Sequence, residues 1–172
     1  MAKAAVQFTK DNEYYTPKYV VDYFGKFDYD PATTKDKAEE FGIPNYDTIA
    51  TDGLKQDWTS YNRIWINPPF TLKHKFINKA VSTYLKAKNE IYILFPIEFL
   101  TTRQFYDTVK RGVRYKLYIP CSRINFESGL GKKGKSPAFG SIVVRLQDNN
   151  EVEYIYIPKI DIYPKQQSLF DL

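Results

Sequence analysis

Histidine and cysteine are almost absent from this chain, with His74 and Cys121 the single examples in 172 residues. One cysteine allows no internal disulfide and no cysteine-cluster metal site. One histidine leaves neither a zinc ligand set nor a Ser-His-Asp triad to assemble. No stretch approaches the ~20 apolar residues of a membrane span, and Met1-Ala2-Lys3-Ala4-Ala5 shows no signal-peptide pattern. These absences set aside most hydrolase and metalloenzyme chemistry. They predict a soluble, cytoplasmic protein that holds no metal and works by positioning and a bound cofactor.

Aromatic residues are plentiful instead, at 17%, carried by fifteen Tyr and twelve Phe. A hydrophobic share of 43% is enough for one domain with a sizeable core. The net charge of +5 and pI near 9.1 favour a polyanionic partner.

Strand-like and helix-like segments alternate along the chain. Thr16-Pro17 opens a capped helix that Gly25 ends, Phe27 to Tyr29 is a short strand, and residues Thr34 to Phe41 form a helix closed by Gly42. Thr48 to Ala50 reads as a strand ending at Asp52-Gly53, and Ile64 to Ile66 as the next. A long amphipathic helix covers Leu72 to Lys86, with Phe76, Ile77, Ala80, Val81, Tyr84 and Leu85 on its apolar face. Strands at Ile91 to Phe95 and Tyr115 to Ile119 flank a helix at Thr101 to Lys110. Gly140 to Leu146 and Val152 to Ile157, joined by an Asp148-Asn149-Asn150 turn, read as a closing hairpin-like pair. The expected fold is an α/β three-layer sandwich with an antiparallel β pair at one edge. Residues 1–158 form the domain and 159–172 a tail.

The most informative segment is Asn67-Pro68-Pro69-Phe70, directly after the apolar run Arg63-Ile64-Trp65-Ile66. It falls where a strand's carboxyl end opens into a loop, the edge at which open α/β sheets bind ligands. The Asn amide offers a neutral acceptor oxygen. The two prolines fix φ and remove two donors, leaving a stiff accepting carbonyl. An aromatic ring follows at once. Rigid acceptors beside a stacking surface suit a flat heterocycle bearing an exocyclic NH₂.

Asn67-Pro68-Pro69-Phe70 resembles the catalytic motif of amino-methyltransferases that use S-adenosylmethionine (SAM). Upstream stand Thr16-Pro17, Phe27-Asp28-Tyr29-Asp30-Pro31-Ala32, Asp52-Gly53-Leu54 and Trp58; downstream come Ser122-Arg123-Ile124-Asn125-Phe126 and Phe139-Gly140-Ser141. In this order, from about Tyr15 to Leu146, they resemble the compact, phage-type adenine-specific DNA methyltransferases, the Dam-like family. The resemblance implies a Rossmann-like methyltransferase fold and methyl transfer from SAM to adenine N6 in a base flipped out of duplex DNA. It implies catalysis by Asn67, Pro68, Pro69 and Phe70. SAM would lie against Thr16, Pro17, Asp30, Pro31, Ala32, Asp52, Gly53 and Leu54, with Asp30 near its amino or ribose groups and Asp52 near its adenine. A phage or prophage origin, with a part in restriction-modification, follows by analogy. One departure stands out: Asp30-Pro31-Ala32-Thr33-Thr34 lacks the Gly-rich turn of many SAM enzymes. Read without the resemblance, Asp30 and Asp52 are caps or turn residues and Phe70 is core. A catalytically inactive DNA-binding module of the same fold, or an RNA or protein-glutamine methyltransferase, stays open as an alternative.

Gly129-Leu130-Gly131-Lys132-Lys133-Gly134-Lys135-Ser136 matches the phosphate-binding P-loop pattern letter for letter. A P-loop needs a helix directly afterwards to aim its amino end at phosphate. Pro137 and the β-like Ile142-Val143-Val144 follow instead. The segment reads better as a loop whose Lys132, Lys133 and Lys135 contact DNA phosphates, with Arg123 near the target base or backbone; a solvated basic loop is the bland alternative. At the end, Gln166-Gln167-Ser168-Leu169-Phe170 resembles the pentapeptide that docks bacterial replication and repair proteins on the sliding clamp. Gln166, Ser168, Leu169 and Phe170 would make that contact, unless the tail folds back on its own domain.

Overall fold

The computed structural model describes residues 14–109, 113–128 and 139–157. Among them are nine strands, four α-helices and one 3₁₀ turn, forming an α/β fold around a mixed seven-stranded sheet. Strand β1 is Tyr14–Tyr15 and helix α1 Lys18–Tyr23; β2 is Tyr29–Asp30, α2 Lys35–Phe41 and β3 Asn45–Tyr46. Then come β4 (Arg63–Ile66), α3 (Lys73–Ala87), β5 (Glu90–Pro96), the 3₁₀ turn Ile97–Thr101 and α4 (Arg103–Val109). Strands β6 (Arg114–Pro120), β7 (Glu127–Ser128), β8 (Ser141–Gln147) and β9 (Glu151–Ile155) complete the set.

The sheet order is β3-β2-β4-β5-β8-β6-β9, and β1 pairs with β7 in a separate small ribbon. Strand alternation buries both sheet faces. Ile64, Ile66, Ile91, Ile93, Phe95, Ile142 and Val144 join Phe76, Ile77, Ala80 and Val81 of α3 and Phe105 of α4 in one core. Trp65, Tyr92, Leu94 and Val143, one residue out of phase, join Val20 and Val21 of α1 in the other. Helices therefore cover both faces, as near-continuous apolar strands require. Each large side chain so buried contributes roughly 1.5–3 kcal/mol.

Several expectations hold. Helix α2 begins with the Thr34 hydroxyl accepting the Lys37 amide N–H and ends at Gly42, whose φ of 68° is left-handed. Helix α3 buries its expected stripe, except that Leu85 is exposed and Thr83 is buried in its place. Asp28 fixes the start of β4: its carboxylate accepts the Asn62 and Arg63 N–H groups at 2.9 Å.

Three expectations are corrected. The strand expected at Thr48–Ala50 is a turn, and the strand is Asn45–Tyr46. The Thr51 hydroxyl accepts the Thr48 N–H and the Thr48 hydroxyl accepts that of Ala50, so side chains satisfy donors a ladder would need. The closing hairpin at the edge is not formed. Strand β8 lies inside the sheet, antiparallel to both β5 and β6, whereas β9 lies beyond β6 and parallel to it. Ile142, Val143 and Val144 are apolar on both faces, which suits an interior strand. The 148–150 turn crosses the start of β6, where the Asn150 side-chain oxygen accepts the Tyr115 N–H at 3.3 Å. The helix cap at Thr16 is the third: Pro17 is the N-cap of α1, with no side-chain cap bond.

No helix among the described residues is long and apolar enough to cross a membrane.

Candidate active site

The parallel strands β2 and β4 are neighbours in the sheet, so Asp30 and Asn67 leave it at the same edge. One cleft there is lined by Thr16, Asp30, Ala32 and Asn67 of the predicted set, together with Tyr15, Lys37 and Trp65. Its cavity is small, about 20 Å³, room for roughly one water.

Its chemistry is set by buried polar groups short of partners. The Thr16 hydroxyl and the Trp65 indole N–H are buried with no hydrogen-bond partner among the described residues. Asp30 is 2% exposed, and one carboxylate oxygen accepts the Ala32 N–H at 2.9 Å. Burial pushes its carboxyl up to about 7, against the opposing pull of that bond. A buried hydroxyl, a buried indole N–H and a carboxyl beside a cleft call for a ligand that carries acceptors for the first two and a cationic donor for the third.

Asp52, Gly53 and Leu54 do not line the cleft, yet they abut its wall. A Cβ built on Gly53 would lie 2.0 Å from the Pro31 carbonyl oxygen, so only glycine lets the two loops meet. The Gly53 carbonyl accepts the Trp58 indole N–H at 2.8 Å, and the Leu54 carbonyl accepts Lys79 Nζ at 2.9 Å. Asp52, at φ 54°, is held by the Leu54 N–H and by Lys55 at 3.2 Å. Pro17 and Pro31 are buried beside the cleft's own Thr16 and Ala32.

Asn67 is anchored from one end. Its Nδ2 donates to the Tyr14 carbonyl at 2.9 Å. Pro68 is buried and Pro69 half-buried, and the Pro69 carbonyl accepts the Leu72 N–H at 2.9 Å. Phe70 stands among other rings, its centroid 5.5 Å from Tyr14 and 5.3 Å from Phe139. Tyr14 is also 6.1 Å from Phe126. The half-buried Phe70 thus belongs to an aromatic cluster at the cleft's side, which its sequence position alone did not show.

Arg123 is exposed on the loop after β6. Lys132, Lys133 and Lys135 lie outside the described residues, as do Gln166, Ser168, Leu169 and Phe170. The chain past the P-loop look-alike enters β8, a strand rather than a helix. Among the described residues no group of three His, Cys, Asp or Glu could hold a metal ion. A second, wider depression lies against Tyr29, Asn45, Asp47, Gln56, Asp57 and Tyr61. Its two carboxylates make it a poor seat for a polyanion.

A sequence model of the DNA N-6-adenine-methyltransferase (Dam) family matches residues 7–166. The chain belongs to that family. It is also 26% identical over 169 residues to a protein of Escherichia phage T1 named DNA N-6-adenine-methyltransferase, a match covering 87% of this chain and 69% of that relative. The Dam match spans all the segments that meet at the cleft, from Thr16 to Asn67. Five residues that line this Dam-family cleft escaped the sequence reading as site residues: Tyr15, Thr33, Lys37, Phe41 and Trp65. Only Trp65 carried a local signal, as a polar-edged aromatic one residue before the strand's end.

Proposed function

We propose that the protein transfers a methyl group from SAM to the N6 of adenine in duplex DNA, acting on a base turned out of the helix. The observation that carries this is the meeting of Asp30, Thr16 and Asn67 at one cleft in a chain of the Dam family. The sheet and its two helical layers suit a Rossmann-like methyltransferase domain.

The residues present fit the amino-acid end of SAM. Asp30 would hold its ammonium, and Thr16 and Trp65 would complete their hydrogen bonds on its polar groups. At about 20 Å³ the cleft is far below the roughly 300–1,000 Å³ of pockets for drug-sized ligands, so it would have to open and the molecule extend past it. Asp52 and Leu54, which do not line the cleft, would hold its adenosine end. Bound SAM would supply a methyl group on an electron-poor sulfonium.

Adenine's amino nitrogen is a weak nucleophile because its lone pair delocalises into the ring. The Asn67 side-chain oxygen and the Pro68 carbonyl would accept its two N–H bonds and draw it toward tetrahedral geometry. Positive charge growing on nitrogen strengthens both contacts, which stabilises the transition state more than the ground state. Phe70 would stack on the extruded base. Lys132, Lys133, Lys135 and Arg123 would contact the DNA. The Gln166-Gln167-Ser168-Leu169-Phe170 tail would dock on the bacterial sliding clamp, bringing the enzyme to newly made DNA.

The test is product identity. Labelled methyl from SAM is offered with duplex DNA, RNA or protein, and the digested products are identified by mass. N6-methyladenine from DNA is the expected result. Label in RNA or glutamine alone would redirect the substrate, and absence of SAM binding would leave a DNA-binding module.

A further inference from the structure

The Asn67 amide has two chemically different ends, and only one can face the substrate. A backbone carbonyl can pair with the NH₂ end alone. Because Nδ2 lies 2.9 Å from the Tyr14 carbonyl, the flip of this amide is decided by chemistry, and Oδ1 is the end left for a ligand. The catalytic acceptor is therefore aimed by a main-chain atom that precedes α1.

That atom sits on a slight support. Ribbon β1–β7 has two residues on each side, with Tyr14 opposite Ser128 and Tyr15 opposite Glu127. It is not part of the seven-stranded sheet, and two-stranded ribbons so short do not stand alone in water. Lys37 of α2 fastens it. Its ammonium pairs with Glu127 on β7 and with Glu40 at 2.6 Å, and lies 5.9 Å from the centre of the Tyr15 ring on β1. The Lys37 side chain is 13% exposed, whereas its partners Glu40 and Glu127 are 37% and 48% exposed, so solvent screens these pairs in part. Burial opposes its charge, yet the bonds to Glu127 and Glu40 outweigh that and raise its pKa. On the other side the Tyr14 ring packs against Phe70, Phe126 and Phe139.

We propose that the β1–β7 ribbon, latched by Lys37 to Glu127, is the positioning device that presents Asn67 Oδ1 to the substrate amine. The inference rests on the methyl-transfer reading above and adds Lys37 and Glu127 to it as positioning residues. It also accounts for asparagine at position 67. An aspartate there has no donor for Tyr14 and would set a carboxylate against its carbonyl.

The test uses the full chain: wild type, Glu127→Gln, Lys37→Met, both together, Lys37→Arg and Asn67→Asp. Single-turnover methyl transfer at saturating SAM and DNA is measured beside SAM affinity and the unfolding midpoint. Misplacing an acceptor by about 1 Å costs up to ~100-fold, so each latch variant should be roughly ten- to a hundredfold slower. The double variant should be no slower than Lys37→Met alone, since that change already removes the Glu127 pair along with the contacts to Glu40 and Tyr15. Lys37→Arg should recover most of the rate, SAM should bind Glu127→Gln as it binds wild type, and Asn67→Asp should be at least as slow as Glu127→Gln. A Glu127→Gln rate within about twofold of wild type at a lowered midpoint would reduce the latch to scaffolding and overturn the proposal. Asn67→Asp at wild-type rate would overturn it too. A wild type that makes no N6-methyladenine removes the methyl-transfer reading itself, a different failure from an active wild type with indifferent variants.

Discussion

Replacing Gly53 with alanine tests whether the loops after β2 and before Trp58 are as tightly joined as the structure has them. The added methyl would lie 2.0 Å from the Pro31 carbonyl oxygen and 2.8 Å from its carbonyl carbon. An ordinary C···O approach is about 3.3–3.6 Å, so the loops must part by more than an ångström. Nothing there is the free end of a flexible side chain; the obstacle is backbone. Overpacking of this kind costs about 1–3 kcal/mol. The Trp58 indole bond to the Gly53 carbonyl, at 2.8 Å, would be strained in the same movement, adding ~1 kcal/mol. The sum is about 2–4 kcal/mol. With a urea slope of roughly 2 kcal/mol/M, the midpoint should fall by about 1–2 M. Fluorescence of Trp58 and Trp65, both fully buried, reports the transition. Asp30 and Ala32 flank the displaced Pro31, so SAM affinity should fall as well. An alanine variant whose midpoint stays within about 0.2 M of wild type would show that Pro31 and Gly53 are not pressed together.

Three further outcomes follow from the same structure. The Asp30 carboxyl, raised from an ordinary aspartate value to about 7, favours the folded state most when protonated. That stability is complete below about pH 4 and is lost as pH rises through 7, so the ligand-free protein should melt lower at pH 8 than at pH 5.5. Asp30→Asn should flatten the difference, whereas SAM affinity in wild type should rise through pH 7 as the carboxylate forms; calorimetry at pH 6 and 8 decides. Alanine at Lys132, Lys133 or Lys135 should weaken DNA binding across sequences and lower the slope of log affinity against log salt by about 0.9 each, read by fluorescence anisotropy. Removing the last seven residues should abolish clamp capture in a pull-down while leaving methyl transfer unchanged.

What could be read in the sequence was whatever is local. Ile64-Trp65-Ile66 declares a buried strand, Thr34 and Gly42 mark both ends of α2, and the stripe from Phe76 to Tyr84 turns α3 toward the core. Strand order is a long-range matter. The Ile142-Val143-Val144 run reads as β-like, and the short Asp148-Asn149-Asn150 turn suggested an edge hairpin with β9, but β6 lies between. At Thr48 to Ala50 the β-branched residues spoke for a strand, whereas threonine side chains held a turn. The candidate site divides along the same line. Asn67 follows β4, Asp30 ends β2 and Thr16 precedes α1, so their meeting was foreseeable. Lys37, in a run of charges on a surface helix, reads as solvent-facing until Glu127, ninety residues away in sequence, is beside it. The Tyr14 contact to Asn67 spans fifty-three residues and involves a main-chain oxygen, which no side-chain pattern encodes.

The central claim is that Asn67 does chemistry rather than binding. The most direct measurement compares wild type and Asn67→Ala in single-turnover methyl transfer to duplex DNA, with SAM affinity determined for both. Loss of one acceptor aimed at developing charge predicts a rate lower by roughly 10²–10³, a loss far larger than any change in SAM affinity. An Asn67→Ala enzyme that still forms N6-methyladenine near the wild-type rate would contradict the account.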